Sequence, residues 1–190
     1  MKDVAFCTDS FASPKTIAYS ERTLACLLWA LVFANESYLL GKVENDKARV
    51  WETGVPLLYQ SGIYWRREEP TGKSACPGGN GQEQFLGIRQ VIEQGYADCE
   101  DVCAWRVAEL RLGLASPRTR GLPPNAGHPM ATVIPAPFPM RARGVDALPA
   151  FFSRQTGPST WTYHIVVFWP DGTFEDPSRV LGMGGANRYG

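Results

Sequence analysis

An excess of charge of one sign is missing from this sequence: 19 Lys and Arg balance 19 Asp and Glu over 190 residues. Without a basic field nothing holds a phosphate backbone, which argues against a dedicated nucleic-acid-binding protein. Long hydrophobic runs are missing too. The longest, 24–34, has eleven residues, against about 18–20 for a bilayer span. It also starts too late, and without a basic lead, for a secretory signal. The expected setting is therefore cytoplasmic, with no membrane and no secretion. Cysteine is sparse and odd in number: Cys7, Cys26, Cys76, Cys99 and Cys103 make five, too few for a dense disulfide framework. Cys76, Cys99 and Cys103 also lack the C-x2-C pairs usual in zinc sites, so no metal is expected. A reducing compartment follows, in which a thiol can be kept for chemistry. Of the two histidines, His128 lies between Gly127 and Pro129 and reads as solvated, which leaves His164.

What is present suffices for one globular domain over 1–190, with 44% hydrophobic and 20% charged residues. The segment 21–40 is apolar on nearly every side and reads as a buried helix, capped by Ser20 and ended by Gly41. After it, 55–65 reads as irregular or strand, and 70–81 as loop. Two helices are expected next. One spans 82–94, with Phe85, Ile88 and Ile92 on its inner face and Gly95 as its stop. The other spans 98–112, with Asp98 and Asp101 as an acidic capping box, Cys99 in its first turn, and Cys103, Val107 and Leu110 facing inward.

Segment 115–160 holds nine of the fifteen prolines and reads as one long Pro-rich insertion, with a short strand near 132–134. It suits a linker or a partner-docking segment better than a catalytic lid. A hairpin follows. Over 161–169, Trp161, Tyr163, Ile165, Val167 and Trp169 face one way, and Thr162, His164, Val166 and Phe168 the other. Pro170, Asp171 and Gly172 form the turn, and Pro177 ends the return strand. The tail 182–190 is Gly-rich. The fold class expected is α+β, with helices packed on a small antiparallel sheet.

Cys99, His164 and Asp176 carry the chemistry. A thiol is nucleophilic as thiolate, and a helix N-terminus stabilises that anion while presenting amides to an oxyanion. An imidazole must take the proton, and a carboxylate must orient the imidazole. Parity decides whether one hairpin can deliver both. Opposed residues of an antiparallel pair have a constant index sum, so His164 and Asp176 share a face only if the loop length is odd. Pro, Asp and a left-handed Gly suit a three-residue loop. Centred on Asp171, that loop pairs Val166 with Asp176 and sets Asp176 diagonal to His164.

The stretch 95–111 (GYADCEDVCAWRVAELR) resembles the nucleophile helix of the transglutaminase-like superfamily of papain-related enzymes. The stretch 164–177 (HIVVFWPDGTFEDP) is similar to that family's second signature, a His on one strand and Asp–Pro at the end of the next. The resemblance implies a transglutaminase-like α+β core with Cys99 as nucleophile, His164 as base and Asp176 as orienting acid. It implies thiol-dependent acyl transfer on a protein or peptide substrate, as a cysteine peptidase, amidase or transglutaminase, with no cofactor. Gln94 and Trp65, with Trp51, are the side chains available as a further oxyanion donor. The two blocks cover 17 and 14 residues; a displaced small residue (Tyr96 and Ala97 stand there) and the long insertion depart from the pattern. With 178–183, the chain also resembles small proteins of tailed-bacteriophage structural gene clusters. That resemblance implies the competing role, a virion or assembly protein that keeps the fold and grips its partners through the Pro-rich segment.

Overall fold

In the computed structural model, which describes residues 5–7, 21–46, 55–67, 84–116, 132–136, 142–157 and 160–183, one helix organises the chain. Helix α3 (Cys99–Arg111) has every residue from Glu100 to Arg111 buried. Its sequence carries two apolar stripes instead of one. Cys103, Ala104, Val107 and Leu110 pack with helix α1 (Glu21–Asp46) and the main sheet. Val102, Trp105 and Ala108 pack on the other side with Leu58, Leu86, Ile88, Val91 and Ala97. Two stripes mean two partners, so the helix is enclosed.

The main sheet is antiparallel, in the order β5 (Thr132–Val133), β6 (Leu148–Gly157), β7 (Thr160–Phe168), β8 (Phe174–Glu175). Ile165, Val167 and Trp169 join the core cluster shared with α1 and α3, as the period of two requires. Two small pairings complete the described architecture. Strand β1 (Ala5–Cys7) pairs antiparallel with β3 (Gln84–Leu86), and β2 (Tyr64–Trp65) pairs parallel with β4 (Tyr96–Ala97). Helix α2 (Ile88–Gln94) lies between β3 and β4, and α4 (Pro177–Val180) follows β8. The chain is α+β.

Several expectations are corrected. Helix α1 runs on through Gly41 to Asp46. Its segment Leu24–Gly41 is long and apolar enough to cross a membrane, which the eleven-residue run had hidden; Leu28, Leu31 and Val32 are nevertheless fully buried inside the protein. The helix expected over 82–94 is strand β3 followed by α2, broken at Gly87 in extended conformation. Val91 faces inward in place of Ile92, which is exposed. Segment 115–160 is not one loop. It contains β5, where a short strand was expected, and β6, a ten-residue strand paired along most of β7. Pairing with β7 outweighs the turn-forming composition on either side of β6. Segments 70–81, 117–131 and 137–141, with Trp51, Cys76 and His128, lie outside the described residues, as does most of the tail 182–190.

Candidate active site

The turn after β7 takes the geometry its residues dictate. Trp169 N donates to Thr173 O at 3.0 Å, Gly172 N donates to Trp169 O at 2.9 Å, and Gly172 has φ +87°. Pro170, Asp171 and Gly172 therefore form a three-residue loop with glycine at its left-handed position. Asp171 Oδ1 tightens it by accepting from Thr173 N at 2.9 Å and Thr173 Oγ1 at 2.6 Å. Beyond the turn, Phe168 pairs with Phe174 and Val167 with Glu175. That register carries Asp176 to the position opposite Val166, diagonal to His164, as the loop parity predicts.

His164 Nε2 and Asp176 Oδ2 are 2.8 Å apart. The pairing makes Nε2–H the donor to the carboxylate, leaving Nδ1 for a second partner. Asp176 is 5% exposed and also caps α4, with Oδ1 accepting from Arg179 N at 3.2 Å. Phe152 stands directly opposite His164 across β6 and β7 and contacts Phe174, with ring centroids 5.7 Å apart. The imidazole thus lies half-buried, held by a buried carboxylate, at a sheet position opposite Phe152.

Cys99 opens α3 and is half-buried. One turn later, Cys103 Sγ donates to Val166 O at 3.2 Å. This contact docks α3 on β7 two residues from His164, where two-residue β8 has ended. Burial pushes the Cys103 thiol well up, and Cys99, Asp176 and Glu175 act in the same direction, so Cys103 is an inert core thiol. The Cys99 thiol itself has Glu100 Oε2 at 3.2 Å.

The acidic residues around Cys99 do not act as the capping box expected. Asp98 holds the N-cap position with extended backbone, but its side chain makes no cap bond. Asp101 Oδ1 instead accepts from Leu86 N at 2.7 Å, tying α3 to β3. Of the oxyanion candidates, Gln94 Nε2 is turned onto Tyr96 O at 2.6 Å. Trp65 lies opposite Ala97 in the β2–β4 pair, two residues before Cys99, and its buried indole N–H meets no acceptor among the described residues.

No protein-family model matches the chain, and no curated protein or solved structure matches it significantly. The site therefore stands on its own geometry. Among the described residues no cluster of three His, Cys, Asp or Glu could hold a metal ion. Glu100, Phe152, Arg106, Glu175 and Tyr59, all near the site, escaped the sequence reading. For Glu175 a signal existed: the parity that turns Asp176 toward His164 turns Glu175 to the other face, toward α3.

Proposed function

We propose that this protein performs thiol-dependent acyl transfer on a protein or peptide amide, through a Cys99–His164–Asp176 triad on a transglutaminase-like core. The observation that carries the reading is the 2.8 Å contact between His164 Nε2 and Asp176 Oδ2, on a sheet against which the Cys99-bearing helix docks. Nδ1 of His164 takes the thiol proton, and the Cys99 sulfur attacks the amide carbon. The tetrahedral oxyanion is met by first-turn amides of α3 and by the Trp65 indole N–H. The imidazolium then protonates the departing amine, leaving a thioester. Water resolves it in a peptidase or amidase, and a lysine amine resolves it in a crosslinking enzyme. These steps need no metal and no organic cofactor.

One observation favours a second reading. The Cys99 thiol donates to Glu100 Oε2 at 3.2 Å, a contact that a thiol makes and a thiolate does not, which suits an assembly protein, including a phage virion component, with an idle site. Alkylation by iodoacetamide across pH, with each cysteine assigned by mass spectrometry, separates the two, and exposed Cys26 serves as the internal reference. In the enzyme Cys99 outpaces Cys26 at neutral pH, and His164→Ala slows Cys99 by about tenfold or more. Cys99→Ala folds normally and lowers amidase or transamidase activity at least about 10³-fold. Equal activity in Cys99→Ala, or a Cys99 rate indifferent to His164, removes the triad.

A further inference from the structure

Strand β8 is too short to hold Asp176 by its ladder, since it has only two residues and pairs through two positions. What grips this segment is Glu175, 1% exposed and pointing away from the His164 face. Its carboxylate accepts from Arg106 Nε at 2.7 Å and Arg106 Nη2 at 3.5 Å. Tyr59 donates its hydroxyl to the same carboxylate at 2.5 Å. Burial and the adjacent Glu175 charge push the Tyr59 hydroxyl up, so it stays a donor.

Arg106 is in turn fixed on every side. Its Nη1 bonds Glu109 Oε2 at 3.1 Å, its Nη2 bonds Ser116 O at 2.8 Å, and its guanidinium lies 4.8 Å from the Tyr59 ring centroid. Arg106 sits two turns along the same helix that begins with Cys99. One rigid element therefore carries the thiol at its tip and, through a buried bidentate pair, the residue bonded to Asp176 in the chain. Such a pair restricts orientation as well as distance.

We propose that Arg106, Glu175 and Tyr59 are positioning residues: they set the end of β8 relative to α3, so that Asp176 meets His164 in register with Cys99. The inference rests on the triad reading and adds the device that holds it together. Glu175 acts through Asp176, not on the substrate.

The test measures Cys99 alkylation near pH 7, relative to Cys26, in the 190-residue chain. Tyr59→Phe removes the hydrogen bond to Glu175 and slows Cys99 by about two- to threefold; Glu175→Gln keeps an acceptor for Arg106 but loses its charge, and slows Cys99 by about fivefold. Glu175→Ala slows it further, with Gln as the partial rescue. The deciding readout is coupling: in a His164→Ala background neither Tyr59→Phe nor Glu175→Gln has a further effect, because both act through the imidazole. Additive losses in that background, or unchanged Cys99 rates in folded Tyr59→Phe and Glu175→Gln, overturn the positioning role. An ordinary His164→Ala effect beside such a result leaves the triad standing. A Cys99 rate indifferent to His164→Ala overturns both. Should Glu175→Ala fail to fold, the Tyr59→Phe and Glu175→Gln comparisons decide alone.

Discussion

At Cys99 two influences of opposite sign meet within one helical turn. The N-terminus of α3 favours an anion, while the Glu100 carboxylate, 3.2 Å from Sγ, opposes one. Glu100 is buried at 2% exposure, so solvent screens its charge poorly. Replacing it with Gln keeps the shape and removes the charge. Glu100→Gln is therefore expected to speed Cys99 alkylation at neutral pH by about tenfold. Slower labelling in that variant would make Glu100 a helper of the thiol instead of a brake. Asp98 and Asp101 show why such roles are hard to read from type and spacing. Both sit where a capping pair belongs, yet Asp101 is spent on Leu86 N, a group fifteen residues upstream.

At the scale of elements, the hairpin was legible because everything that decides it lies within a few residues. Pro170, Asp171 and Gly172 specify a loop of odd length, and loop parity alone brings His164 and Asp176 to one face. The segment before it was not legible. Residues 142–147 read as part of a loop, but they close the C-terminus of α3, where Gly144 N donates to Arg111 O at 2.8 Å and Val145 N to Leu110 O at 2.9 Å. Carbonyls that the helix leaves open are thereby satisfied. The approach is so close that a Cβ on Gly144 would overlap Leu110 O and the backbone of Gly113. Since the obstacles are backbone, neither side can yield. Gly144→Ala should cost about 3 kcal/mol in urea unfolding; a loss under about 0.5 kcal/mol would mean that this contact does not persist in solution.

At the scale of the whole molecule, α3 is charged as well as buried, and its charges find partners far away in sequence. Arg111 bonds Glu36 of α1 at 2.7 Å and Asp146 at 2.9 Å, and it lies 5.2 Å from the Trp29 ring centroid. Glu109 accepts from Leu58 N at 2.6 Å. Burial pushes the Glu109 carboxyl from 4.5 up to about 7, against the pull of Leu58 N and Arg106. The native state then binds a proton that the unfolded chain has released between those two pH values. Its contribution to stability is fully present at the acid end, falls as pH rises through the window, and levels off above about 7. Glu109→Gln cannot titrate, so from pH 5 to pH 8 its stability should rise relative to the wild type by about 2 kcal/mol. Parallel stability profiles for the two proteins would show that Glu109 stays ionised throughout.

Chemistry confined to short stretches was readable in the chain itself: a turn, its register, a cysteine opening a helix, and the α+β class, because backbone sterics and side-chain periodicity act over a few residues. The partners of Asp101, Arg106, Glu109 and Arg111 were settled only by packing. A helix enclosed on both sides leaves no water for its charges, so each must pair with whatever distant segment the fold brings against it. Strand β6 belongs with them, since its ladder to β7, not its own composition, makes it a strand.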